Sequence, residues 1–158
     1  MTHLAWFAWG LIATLVLTGL LTSASRLGWT RLSLMYLLGT LITPARERAK
    51  LYGTLIHLLN GWILAWGYRV VFVNWGGGWE RGALLGGLHG LTVLVLVLPL
   101  MPAYHPRMAS EEEGPLSARF LEPPGFFGLH YGTQTPMWIL FAHVVYGVIL
   151  GVAAHITA

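Results

Sequence analysis

Residues 52–73 read YGTLIHLLNGWILAWGYRVVFV. His57 and Arg69 are the only basic side chains in the stretch, and it contains no acid. A helix needs about 20 mainly apolar residues to cross a hydrocarbon layer roughly 30 Å thick, so a membrane span is expected here. Every fourth residue gives Gly53, His57, Gly61, Ala65 and Arg69. Small side chains along one ridge let a second helix backbone come close. An imidazole on that ridge is a candidate functional group, because titratable side chains are costly in lipid.

Composition points the same way. Of 158 residues, 56% are hydrophobic and 9% charged, with a mean hydropathy of +0.65, whereas soluble domains carry about 25% charged residues. The chain has no cysteine, which excludes disulfides, thiolate chemistry and cysteine-based metal sites. The net charge of +3 is dispersed rather than gathered into the basic stripe of a nucleic-acid-binding protein. Aspartate is missing, no glutamate falls inside an apolar segment, and no phosphate-binding or dinucleotide fingerprint occurs. A non-catalytic protein is therefore expected.

Further spans are expected at about 4–22, 82–101 and 136–155, giving an all-α membrane protein of four transmembrane helices in two hairpins. Gly10, Thr14, Thr18 and Thr22 form a narrow ridge on the first span, and Gly82, Gly86 and Gly90 form one on the third. The fourth carries His143, Gly147, Gly151 and His155 at the same spacing. The short glycine-rich turn NWGGGWERG predicts that the second and third spans pack side by side, with Glu80 a partner for Arg69. Residues 27–43 show one polar and one leucine-rich stripe, the pattern of an amphipathic helix lying at the interface.

Of the nine Lys and Arg residues, only Arg69 and Arg81 fall on one side of a four-span arrangement. Positive charge accumulates on the cytoplasmic side, which predicts both termini outside the cytoplasm. Residues 102–135 then form a cytoplasmic loop. It contains the acid run Glu111, Glu112 and Glu113, a solvated face by composition, and the apolar PPGFFG, expected to fold back on the bundle. The prolines of 102–135 argue against a continuous helix there.

Counting residues from the span ends puts His57 and His143 at similar depth, an inner pair, with His89 and His155 a poorer outer one. Three readings fit these histidines: packing groups, axial ligands of a b-type haem (His57 and His143), or, with His89, a transition-metal or proton-relay site. Met101, His105 and Met108 offer soft ligands for copper, although their proline-rich setting reads more simply as a loop. Gly39, Thr40, Thr43 and Pro44 ahead of His57 and Gly61 parallel Gly132, Thr133, Thr135 and Pro136 ahead of His143 and Gly147, which suggests duplicated hairpins.

The run LGTLITPARERAKLYGTLIHLLNGW, with GLHG, LPLMPAYHPRMAS, LEPPGF and TPMWILFAHVVYGVILG, resembles a family of small four-span bacterial membrane proteins of unknown function. The resemblance implies an integral protein of the bacterial inner membrane and brings no activity or cofactor. The leading expectation is an accessory or scaffold subunit. It would work through Gly53, Gly61, Gly82, Gly86, Gly90, Gly147 and Gly151 against other subunits or further copies of itself. A haem- or metal-carrying protein and a small carrier or channel with a polar path past Asn60 are the alternatives.

Overall fold

The computed structural model describes residues 3–110 and 114–157; the acid run Glu111–Glu113 lies outside them. In chain order the helices are α1 (His3–Arg26), α2 (Leu34–Gly39), α3 (Arg46–Trp75), α4 (Trp79–Thr92), a π-helical turn (Val93–Val97), α5 (Leu98–Tyr104) and α6 (Thr135–Ile156). Between α5 and α6 runs the 3₁₀ stretch Phe126–Tyr131. No β-strand occurs among the described residues. Four rods are long and apolar enough to cross a membrane: α1, α3, the continuous Trp79–Tyr104 rod and α6.

Helix α3 starts earlier than expected, because residues 46–51 are helical too. At 1.5 Å per residue its 30 residues exceed the length needed to cross a hydrocarbon layer, and Arg46, Arg48 and Lys50 fall in its first turns. The third rod also outruns its expected end. Pro99 and Pro102 lie within it, although proline normally breaks a helix by removing a donor and crowding the carbonyl four residues back. The wider turn just before Pro99, in which the Leu98 N–H donates to the Val93 carbonyl, provides the room. Residues 27–43 yield only the short α2: Gly28 has φ +77°, and the chain runs extended to Ser33.

Two antiparallel seams organise the bundle. On the first, α1 meets α3 with Gly10 against Ala65, Thr14 against Gly61 and Thr18 against His57. On the second, α4 meets α6: a Cβ at Gly82 or Gly86 would run into the carbonyls of Gly147 and His143, and one at Gly151 into that of Gly78. Gly90 rests on His143 and Leu140. Gly53 is taken by α2, where a Cβ would strike the Met35 carbonyl. Helix α6 also packs along α1, joining the seams.

This corrects the expectation that the second and third spans are packed neighbours. Their turn is only three residues, yet α3 and α4 barely touch, because each has spent its small-residue ridge on another helix. Arg69 consequently does not pair with Glu80. Its guanidinium lies over Trp66, 5.3 Å from the ring centroid, and close to His3.

The start of α1 and the end of α6 sit at the end of the α3–α4 turn: His3 stacks on Trp66, and Gly77 abuts Ala154 and His155. The opposite end is knitted together by the loop, as expected for PPGFFG and its neighbours. Trp29 stacks on Trp138 at 4.7 Å, Thr30 hydrogen-bonds Thr135 at 2.7 Å, and the Arg31 backbone N–H donates to the Tyr131 carbonyl at 2.7 Å. The Tyr131 hydroxyl donates to the Glu122 carbonyl, and burial pushes its pKa up to about 12.

His105 is a latch in this assembly. Its Nδ1 accepts the Arg107 backbone N–H at 3.1 Å, so the ring proton lies on Nε2, which donates to the Leu37 carbonyl at 3.0 Å. Both nitrogens are used, and Met108 is fully buried, so this motif presents no copper site. Burial holds the His105 pKa below its ordinary 6.5, with the Arg107 charge adding to the effect against the bond to Leu37. The unfolded chain thus binds more protons, so the His105 contribution is complete above about pH 6.5 and is lost as pH falls. Unfolding temperatures measured between pH 7.5 and 5 should fall with acidification, and His105→Gln should flatten that slope.

Candidate functional site

Because α3 and α4 diverge, a cleft of about 380 Å³ opens between them. Ile63, Leu64, Val93 and Val97 form apolar walls, and Leu34 and Leu38 of α2 line it as well. The mouth is flanked by Asn60, Ile63, Leu64 and Val97, all exposed, so it faces the region lipid would occupy. The π turn places Val93 and Val97 there, and such turns recur at functional sites.

The polar groups of the cleft are His57, His89, His143, Asn60 and Tyr146. All three histidines singled out from the sequence therefore line one cleft, His57 and His143 among them, and His89 joins these two rather than His155. His89 and His143 are adjacent, with ring centroids 4.7 Å apart at 72°. The α4–α6 register, which sets Gly86 on the His143 backbone, brings His89 alongside one turn on. His155 is exposed at the far end of the bundle, so no outer pair forms.

The ring protons of two histidines follow from their partners. Thr18 Oγ1 donates to the Thr14 carbonyl at 2.7 Å, so it can only accept from His57 Nδ1, at 2.8 Å. His143 Nδ1 lies 2.7 Å from the Ile139 carbonyl, which has no proton to give. Both neutral rings are thus protonated on Nδ1 and present a lone pair on Nε2. His89 Nδ1 faces the Tyr68 hydroxyl at 3.3 Å. None of the three Nε2 atoms has a hydrogen-bond partner among the described residues. Nor are they sealed off: the fully buried unpaired side-chain atoms among the described residues are those of Trp62 and Trp138, outside the cleft lining.

The rest of the site is rigid. The Tyr146 hydroxyl donates to the Gly61 carbonyl at 2.6 Å and ties α6 to α3 across the cleft floor, while Tyr68 packs edge-on against Tyr146. Tyr146→Phe should lower stability by about 1 kcal/mol, read as a modest drop in unfolding temperature. Tyr68 escaped the sequence analysis. Spacing gave no signal for it, since it lies three turns from His57 on α3 and meets His89 only through the fold.

Metal ligation meets geometric limits. No three His, Cys, Asp or Glu side chains among the described residues could hold one ion. With metal–nitrogen bonds of about 2.0–2.1 Å, trans imidazoles would have centroids about 6 Å apart, so His89 and His143 cannot sandwich a haem iron at 4.7 Å. Comparison with known protein families, curated proteins and solved structures finds no match to this chain.

Proposed function

We propose that the protein is a membrane-embedded binding protein for a lipid-soluble small molecule with an apolar body and a hydrogen-bond-donating end. The observation that carries this is the set of unpartnered imidazole Nε2 atoms facing an apolar cleft open towards lipid. Acceptors left unpaired in apolar surroundings cost free energy, and a hydroxyl or N–H donor from a ligand would satisfy His57 and His143. Asn60, which has no side-chain hydrogen bond among the described residues, stands at the mouth for an acceptor on the same molecule. A hydroquinone or another hydroxyl-bearing ring on an apolar tail has this chemistry.

A scaffold role loses its main support, because the ridges that suggested it are engaged inside the bundle. One specific feature favours a second reading, haem bound through His57 and His143. Each donates its Nδ1–H to an oxygen, the arrangement that orients metal-ligating imidazoles.

The proposal places the chain in a bacterial inner membrane, with the end bearing Arg26, Arg46 and Arg107 at the cytoplasmic face. It treats the two seams as duplicated hairpins, each giving the cleft a histidine four residues ahead of a packing glycine. Organic extraction and mass spectrometry of protein purified in mild detergent, with a visible spectrum, tests it. A near-stoichiometric hydroxyl- or amine-bearing amphiphile is expected. A Soret band would select haem instead, and empty protein that also binds no hydroquinone would defeat both readings.

A further inference from the structure

The α1–α3 seam changes where α2 wedges in. Thr18 still faces His57, but one turn further on Gly53 has been claimed by α2 rather than by Thr22. The helices part there, and a second cavity of about 360 Å³ opens at the basic end of the bundle. It adjoins the histidine cleft at Thr18 and Leu34, but its charged groups are a different set.

Its polar lining is cationic and hydroxylic: Arg26, Lys50, Thr22, Ser25 and Ser33, with Thr18 and Thr54, whose hydroxyls donate to carbonyls of their own helices. Arg26 forms no ion pair among the described residues. Lys50 pairs with Glu47 at 3.0 Å, but that pair is solvent-exposed and exchangeable. The hydroxyls of Thr22, Ser25 and Ser33 make no side-chain hydrogen bond among the described residues, so two cationic groups and three uncommitted hydroxyls share a lining that contains no carboxylate. Leu21, Leu32 and Met35 complete the wall. Donors of this kind suit a phosphate group, and the apolar wall suits a phosphate carried on an acyl chain.

We propose that this cavity binds the phosphate headgroup of an anionic membrane lipid, with Arg26 and Lys50 holding the charge and Thr22, Ser25 and Ser33 the oxygens. Native mass spectrometry of the detergent-solubilised full chain, titrated with phosphatidylglycerol, phosphatidylcholine or inorganic phosphate, reads it directly. Phosphatidylglycerol should be retained in preference to phosphatidylcholine, and Arg26→Gln with Lys50→Gln should weaken it roughly 30-fold. Arg46→Gln with Arg48→Gln removes equal charge outside the cavity and should weaken it less than about threefold. A Thr22→Val, Ser33→Ala variant, which keeps every charge, should also lose affinity. Equal loss in the two charge variants, or no preference between the lipids, would overturn the proposal. Displacement by inorganic phosphate alone would reassign the cavity to a soluble anion and overturn the lipid as its occupant.

Discussion

Gly147→Val is expected to destabilise the four-helix arrangement strongly. A side chain at this position meets backbone on the opposing helix, the Gly82 carbonyl and the Gly86 chain, and neither can swing aside as a flexible side chain would. Overpacking commonly costs about 1–3 kcal/mol, occasionally more, and this site belongs at the upper end. An unfolding temperature roughly 10 °C lower follows for a chain of this size. Gly67→Ala is the contrasting case: nothing lies within 4 Å of its added carbon, and alanine is the better helix former by about 1 kcal/mol. That variant should be as stable as the parent or slightly more so. Thermal unfolding of both in one detergent checks the pair, and an unaffected Gly147→Val protein would mean that the α4–α6 seam is not as close as described.

The second large effect concerns the cleft. His57→Leu combined with His143→Leu removes both fixed lone pairs while retaining apolar volume. Two hydrogen bonds at about 1 kcal/mol each correspond to roughly thirty-fold weaker retention of the extracted molecule. Folding should survive, because Thr18 keeps its bond to the Thr14 carbonyl and Tyr146 its bond to Gly61. His155→Leu, exposed and outside the cleft, should change nothing. Quantifying the bound compound against protein in the three samples decides the matter; equal loading in the double variant would remove the histidines from the site.

Much of this architecture could be read from the residues. The ridge Gly53, His57, Gly61, Ala65 announced both a span and a close contact, and Gly82, Gly86 and Gly90 did the same for the third rod. What the ridges could not reveal was their partners. A glycine-rich surface accepts any backbone of similar shape, and the short turn predicts that α3 meets α4. Tertiary competition decided otherwise, since Thr14 and Gly10 fit α3 while Gly147 and Gly151 fit α4. The cleft is a by-product of that choice, so it was legible only as its separate histidines. Their depths, counted from span ends, missed the register that brings His89 beside His143. The π turn was hidden as well, because Pro99 reads locally as a stop and only the widened turn before it lets the helix continue.

The lateral gap between α3 and α4 has a consequence for supply. A guest entering sideways never leaves the hydrocarbon, so occupancy follows its mole fraction among the lipids rather than its concentration in water. Such a protein would fill and empty as the composition of the surrounding bilayer changes, even while the aqueous phase stays constant.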